Sequence, residues 1–245
     1  MHAAGRVRCA YAFGFSEGDE PVVFVKMSET GEAEALENGF NALADVAKLP
    51  QGGARFPRPY FMGKCGGVDY YVSQCVPLRR GKGAASSLGA PEVQIESYAG
   101  PITVVSPERL AELRWVRQFW EVVDERSSFA SLLRDDFQHP ARCCRVHGDL
   151  TRANLITTGK EMWIIDWELS DPLGPWITDY LTFFLGERQR KMIRKPARVF
   201  SELRQNFLNG RTLEEQRDVR LAMAFLLGRT SGLGTRIVAA WEAAS

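Results

Sequence analysis

The sequence has 245 residues, 45% hydrophobic and 25% charged, with 31 basic and 30 acidic side chains. This is an ordinary globular composition, long enough to bury a core without disulfides or structural metal. The near-neutral balance gives no overall field for nucleic acid, so we expect no nucleic-acid partner. No apolar run suggests a signal peptide or transmembrane segment, and the five cysteines form no C-x-x-C pair. We therefore expect a cytoplasmic protein with reduced thiols.

The N-terminal third is rich in β-branched and aromatic residues. This pattern predicts strands at residues 6–15, 21–27, 60–62 and 68–76, and a helix at about 32–47. The segment Arg79 to Gly89 is small, polar and flexible in composition, which is typical of a hinge between lobes.

The remainder of the chain is predominantly helical in pattern. Ser106 and Pro107 are good N-cap and N1 residues for a helix, and a second helix is predicted at about 129–137. Thr212 and Glu215 form a capping box that opens a helix over 213–227. The exception is the segment 142–167, whose pattern predicts strand, loop, strand, turn and strand.

Within that exception, residues 146–167 read VHGDLTRANLITTGKEMWIIDW. If the turn is centred near Lys160, Asn154 and Asp166 are directly opposite across an antiparallel pair, with Cβ atoms roughly 5 Å apart. An amide oxygen and a carboxylate so placed could share one Mg²⁺ ion, with phosphate and water completing the shell. Asp149, on the preceding loop, could orient a hydroxyl and accept its proton.

The motif His147-Gly148-Asp149-x-x-x-x-Asn154 followed by Ile165-Asp166-Trp167-Glu168 resembles the catalytic and metal loops of aminoglycoside phosphotransferases and choline kinases. The resemblance implies an α+β, protein-kinase-like fold with two lobes. We expect a small β-rich N-lobe at 1–78 and a helical C-lobe at 79–245 that carries the catalytic and metal-binding hairpin at 146–167. It also implies that Asp149 is the catalytic base and that Asn154 and Asp166 bind Mg²⁺.

Further matches extend over most of the chain. The stretch VFVKM resembles the strand whose lysine contacts nucleotide phosphates, which nominates Lys26, and a glutamate on the next helix should pair with it. We predict Glu37 for that role, with Glu34 as the alternative; either could instead lie on a solvated helix face. The stretch YYVSQCVP resembles the strand and hinge that cover adenine, so Gln74 and Val76 should bind the base. Asp179 matches a later family aspartate and is expected to be a structural anchor.

One part of the kinase pattern is missing. Only about twenty residues precede the lysine strand, room for one strand, and the stretch Ala12 to Phe15 contains a single glycine and is not a phosphate-binding loop. The predicted activity is transfer of the γ-phosphoryl of ATP or GTP to a hydroxyl of a small molecule such as a sugar, amino alcohol or glycolipid head group. The alternative is an inactive nucleotide-binding pseudokinase or scaffold.

Two features bear on the acceptor. Aromatic residues near the metal loop could form a cage for a quaternary ammonium, or more simply pack a core: Trp163, Trp167, Trp176, Tyr180, Phe183 and Phe184. A basic run between Glu187 and Arg204 disfavours a polycationic acceptor and is compatible with an anionic one, with peripheral membrane contact, or with a solvated helix face.

Overall fold

The computed structural model describes residues 9–18, 20–28, 33–49, 53–76, 91–158, 161–188, 191 and 194–229. The chain forms two compact units, the first from residues 1–98 and 149–170, the second from residues 99–148 and 171–245. This division differs from the predicted one. The predicted boundary and hinge lie outside the described residues, and the hairpin assigned to the C-lobe is grouped with the N-terminal strands.

A four-stranded antiparallel sheet dominates the first unit. Its strands, in the order β1-β2-β4-β3, are β1 Cys9–Phe15, β2 Pro21–Ser28, β3 Pro59–Cys65 and β4 Val68–Gln74. Cys65 pairs with Val68, so Gly66 and Gly67 form a two-residue turn, with φ of 57° and 83°. Two positive φ values in succession define the type I′ hairpin turn, which glycine adopts without steric cost.

Helix α1, Ala33–Val46, forms where a helix was predicted and packs on this sheet. Leu36, Leu43 and Val46 are buried, and the ring of Phe40 lies 6.2 Å from that of Tyr71 on β4. The apolar stripe at helical spacing is sufficient to form the helix despite the Asn-Gly pair in its middle.

A second hairpin completes the first unit. A 3₁₀ turn at Arg152–Asn154 leads into β7, Leu155–Thr158, which pairs with β8, Glu161–Ile164. Trp167, three residues after the end of β8, is fully buried and packs edge-on against Tyr98 of helix α2, Pro91–Ala99, at 5.1 Å between ring centroids.

The second unit is mainly helical. A three-stranded antiparallel sheet has the order β5-β6-β9, with β5 at Thr103–Val105, β6 at Ala141–Val146 and β9 at Asp171–Pro175. Among its described residues, the α-helices are α3 Pro107–Glu112, α4 Arg114–Val122, α5 Ser128–Asp136, α6 Thr178–Glu187, α7 Pro196–Leu203 and α8 Leu213–Arg229, and α7 continues into a π-helical turn at Arg204–Leu208.

Helix caps in this unit follow the predicted chemistry. Ser106 accepts a hydrogen bond from the Arg109 backbone, and Thr212 and Glu215 exchange the two hydrogen bonds of a capping box. The helix predicted after Ser106 is interrupted at Leu113, whose ψ of 139° is extended.

Helices α4 and α8 cross closely in the second unit. A Cβ on Gly228 of α8 would lie 2.8 Å from the backbone nitrogen of Phe119 on α4.

A buried carboxylate in the same unit is paired: Arg220 donates to Asp136 through two hydrogen bonds of 2.6 and 2.7 Å. None of the helices in the described part of the chain is long and apolar enough to cross a bilayer.

Candidate active site

Asp149 and Asn154 are hydrogen-bonded to each other. The side-chain amide nitrogen of Asn154 donates to the backbone oxygen of Asp149 at 2.8 Å and to its Oδ2 at 3.1 Å. Asn154 lies at the end of the 3₁₀ turn and is 8% exposed, while Asp149 is half-buried. The turn therefore fixes the orientation of the Asp149 carboxylate.

The predicted pairing of Asn154 with Asp166 is wrong by one residue. Leu155 pairs with Ile164, and the Asn154 backbone oxygen accepts a hydrogen bond from the Ile165 nitrogen at 3.0 Å. Because Thr158 pairs with Glu161, the register of the hairpin is shifted by one residue from the predicted one. Asp166 follows the end of the strand instead of occupying a rung opposite Asn154.

Asp166 has an unusual backbone conformation. Its φ of 67° lies in the left-handed region, which aspartate tolerates better than most residues with a side chain. The neighbouring Trp167 donates from Nε1 to the Ile164 oxygen at 3.1 Å and is buried. Such conformations persist only where the surroundings hold them, and they cluster at functional sites.

Lys26, on β2, is buried and paired with two carboxylates. Its Nζ lies 2.7 Å from Asp166 Oδ1 and also forms an ion pair with Glu168 Oε1. Burial by itself lowers the pKa of this ammonium group, but the charges and hydrogen bonds of Asp166 and Glu168 outweigh it, so the pKa of Lys26 is raised. Lys26 therefore remains a cation.

The predicted Lys26–Glu37 pair is corrected by the structure. Glu37 is exposed on α1, and the carboxylates on Lys26 come from residues 166 and 168. Successive helix residues point about 100° apart, and here Asn38 and Gly39 face residue 168. The amide nitrogen of Asn38 donates to the Glu168 oxygen at 2.6 Å, and a Cβ on Gly39 would lie 3.3 Å from Glu168 Cγ.

A cavity of about 370 Å³ opens beside Lys26 in the first unit. Its lining is mainly apolar and includes Lys26, Asp166 and the predicted base-binding residues Gln74 and Val76. Further lining residues are Tyr11, Phe13, Phe24, Leu43, Pro57, Tyr71, Ser73, Cys75, Ile156 and Ile165. A volume of this order, with an apolar wall and few charged groups, suits part of a small organic ligand.

The donor set suits a hard cation. Both described side-chain hydrogen bonds of Asn154 use its amide nitrogen, so its carbonyl oxygen is the atom that could coordinate a metal, together with the Asp166 carboxylate. Among the described residues there is no cluster of three or more His, Cys, Asp and Glu side chains. Oxygen donors of this kind fit Mg²⁺, which keeps several waters or phosphate oxygens in its shell.

In the second unit, Asp179 holds the segment that precedes Asp149 in the chain. Its carboxylate is fully buried and accepts from the backbone nitrogens of His147 and Gly148 at 2.7 and 2.9 Å. Gly148 has a φ of 82°, a conformation suited to glycine. These contacts give Asp179 the anchoring role predicted for it.

The absence of a phosphate-binding loop at Gly14 is also explained. Gly14 lies within β1, and a Cβ there would be 2.5 Å from Val23 Cγ2, so this glycine permits close strand packing. Among the described residues, β1 is the only strand that precedes β2 in the chain.

Ion pairs account for part of the basic run, and core packing accounts for part of the aromatic group near the metal loop. Arg188 and Arg198 both pair with Glu202, at 2.8 and 3.3 Å, while Arg190 lies outside the described residues. Trp163 and Trp167 are buried within the first unit, which favours core packing over an ammonium cage.

No family model matches the sequence, and no curated protein matches it. Several solved structures do match it. One is a thermostable mutant of aminoglycoside phosphotransferase APH(4)-Ia in complex with AMP-PNP and hygromycin B. It is 14% identical in sequence to this chain, and the TM-score is 0.60, covering 98% of this chain and 92% of that one. A second mutant, with ADP and hygromycin B, is 14% identical and gives 0.56 over 98% and 90%. The apo form is 13% identical and gives 0.53 over 100% and 94%.

The chain has the aminoglycoside phosphotransferase fold. The α+β, kinase-like architecture predicted from the motif is thereby confirmed.

Glu168 lies within the sequence motif, but no role was predicted for it. The spacing of the two carboxylates could have indicated a shared partner, since residues 166 and 168 are two apart and can face the same side of an extended segment. What the sequence could not show is that Lys26, 142 positions earlier than residue 168, is the group they face.

Proposed function

We propose that this protein is a phosphotransferase that moves the γ-phosphoryl group of ATP or GTP to a hydroxyl of a small molecule. The observation that carries the proposal is one cavity lined by the paired Lys26 and Asp166 together with Gln74 and Val76. The match of the fold to structures holding AMP-PNP or ADP supports a nucleotide in this cavity.

Lys26 would neutralise phosphate charge, and its burial beside the cavity and its raised pKa support this role. Asn154 and Asp166 would hold Mg²⁺, which when bound offsets the charge on the phosphates. Backbone groups of Gln74 and Val76 would bind the base, where β4 ends.

Asp149 is the proposed base. Its carboxylate accepts the proton of the acceptor hydroxyl as that oxygen bonds to the γ-phosphorus. The bond from the γ-phosphorus to the bridging oxygen breaks, and the nucleoside diphosphate leaves with those electrons. The hydrogen bond from Asn154 to Asp149 Oδ2 holds the carboxylate in one orientation for this step.

The acceptor is proposed as a sugar, an amino alcohol, a glycolipid head group or an aminoglycoside. Hygromycin B is bound in two of the matching structures, and it belongs in any panel of acceptors. The basic run between Glu187 and Arg204 disfavours such a cationic acceptor less than the sequence alone indicates, because Glu202 partly neutralises Arg188 and Arg198.

A second candidate is a nucleotide-binding pseudokinase. It is favoured because the described residues that precede Lys26 include no glycine-rich phosphate loop. Retention of Asp149, Asn154 and Asp166 favours the enzyme.

Turnover of ATP and GTP with Mg²⁺ against the acceptor panel tests the proposal, with Asp149→Asn as the matched variant. We expect the variant to lose roughly 10²–10⁴-fold in rate while binding nucleotide as before, because only the proton acceptor is removed. Nucleotide binding without turnover on any acceptor would favour the pseudokinase. No nucleotide binding at all would overturn both candidates.

A further inference from the structure

The lysine that faces the proposed phosphate site has two carboxylate partners in different surroundings. The Asp166 side chain is 38% exposed and that of Glu168 is 15% exposed, while Lys26 itself is 4% exposed. Asp166 is also the residue proposed to bind Mg²⁺. A carboxylate drawn to a dication neutralises a neighbouring ammonium less, so the position of Lys26 then depends on Glu168.

Helix α1 contacts residue 168 through its backbone and side-chain stem. Asn38 donates to the main-chain oxygens of Glu168 and Ser170 at 2.6 and 2.9 Å. The absence of a side chain at Gly39 leaves room for the Glu168 backbone, whose Cα would be 3.5 Å from an added Cβ. The helix thus holds the backbone of Glu168 in one position. Glu37, on the same helix, is exposed and is not one of the two carboxylates paired with Lys26.

We propose that Glu168 is the positioning residue for Lys26, in the place where Glu37 was expected. It holds the ammonium toward the nucleotide phosphates, and Asn38 and Gly39 hold Glu168. This inference rests on the proposed function, because it assigns Lys26 to phosphate binding.

The test compares Glu168→Gln and Glu168→Ala with Glu37→Gln, a matched removal of one carboxylate from the exposed position. Binding of adenosine, ADP and ATP is measured by calorimetry with and without Mg²⁺. We expect both residue-168 variants to bind ATP roughly tenfold more weakly with adenosine affinity unchanged, because only the phosphates contact Lys26. Glu37→Gln should bind all three ligands as the unaltered protein does.

A double-mutant cycle separates positioning from a general structural role. In a Lys26→Ala background, Glu168→Gln should cause no further loss of ATP affinity, since its effect acts through the lysine. Melting temperatures of all variants show whether each is folded, and Glu168→Gln, which keeps the size of glutamate but loses its charge and one acceptor oxygen, remains available if Glu168→Ala does not fold.

Three results would overturn the inference. The first is an ATP affinity of Glu168→Gln equal to that of the unaltered protein. The second is a loss of ATP affinity in Glu37→Gln as large as that in Glu168→Gln. The third is a loss of ATP affinity on adding Glu168→Gln to Lys26→Ala as large as the loss without Lys26→Ala. If the unaltered protein binds ATP and loses affinity in Lys26→Ala, the proposed function survives these results. If the unaltered protein binds no nucleotide, the proposed function and this inference fail together.

Discussion

Asp166 is the only described non-glycine residue with a positive φ, and it also contributes a carboxylate to Lys26. The two properties can be separated by substitution. Asparagine removes the charge but keeps a side chain that tolerates the left-handed region, whereas alanine removes the charge and is strained there.

We therefore expect Asp166→Ala to be about 1 kcal/mol less stable than Asp166→Asn. Urea unfolding of both variants measures the difference in free energy of unfolding, and each serves as the charge control for the other. Equal stabilities would mean that the segment relaxes out of the left-handed conformation once the carboxylate is gone.

At the scale of elements, the close crossing of α4 and α8 has a specific requirement for glycine. Alanine is normally the better helix former by about 1 kcal/mol. At Gly228, however, the added Cβ would lie 2.8 Å from the Phe119 nitrogen, on a backbone that can yield only by separating the helices.

Gly228→Ala should therefore lower the free energy of unfolding by about 1–3 kcal/mol despite its helix propensity. Gly18→Ala is the control, because the nearest atom to its Cβ is the Ser16 Oγ at 3.9 Å. Thermal or urea unfolding distinguishes the two, and a stabilised Gly228→Ala protein would contradict the close packing.

Elements with local signals were predictable. The run around Val25 in β2, the glycine turn of β3–β4 and the capping box at Thr212 carry their structure in neighbouring residues. Strand β9 was missed because its sequence DPLGP contains proline and glycine, which ordinarily break strands. It forms because Gly174 allows its backbone to approach Val146, where a Cβ would be only 2.3 Å from Cγ2, and that partner is remote in sequence.

The same distinction holds for the site as a whole. Asp149 and Asn154, which the motif singles out, are hydrogen-bonded to each other, and Lys26 of the lysine strand lines the cavity, while their roles in catalysis and binding stay predictions. The carboxylate that pairs with that lysine was mistaken, because its choice depends on how helix α1 is rotated against a segment about 130 residues away. Rotation of a helix about its axis is a packing outcome that no short motif records.

For the whole molecule, two buried thiols predict a dependence of stability on alkaline pH. Burial, together with neighbouring acidic groups, raises the pKa of Cys143 and of Cys144 from 9.0 to about 12. Unfolding returns them to the ordinary value, so between these limits the unfolded chain loses protons that the folded chain keeps.

The free energy of unfolding should thus be insensitive to these thiols below pH 9 and fall as pH rises from 9 toward 12. The slope is at most about 1.4 kcal/mol per pH unit for each thiol. Urea unfolding at several pH values measures it, and a Cys143→Ala, Cys144→Ala double variant should show a shallower decline. An identical decline in that variant would assign the pH dependence to other groups.

The contact of Asn38 with Glu168 bears on how such a protein could be controlled. Where a lysine is paired with a glutamate on a movable helix, displacement of that helix switches catalysis off, and cells use phosphorylation to drive the switch. Here the partner of Lys26 lies two residues from Asp166 and not on α1, so a movement of α1 would act on that carboxylate only through the contacts of Asn38 and Gly39 with residue 168. With the proposed activity, a displacement of α1 would therefore loosen the pairing of Lys26 indirectly, through the backbone of residue 168, and would not remove a glutamate carried by the helix itself.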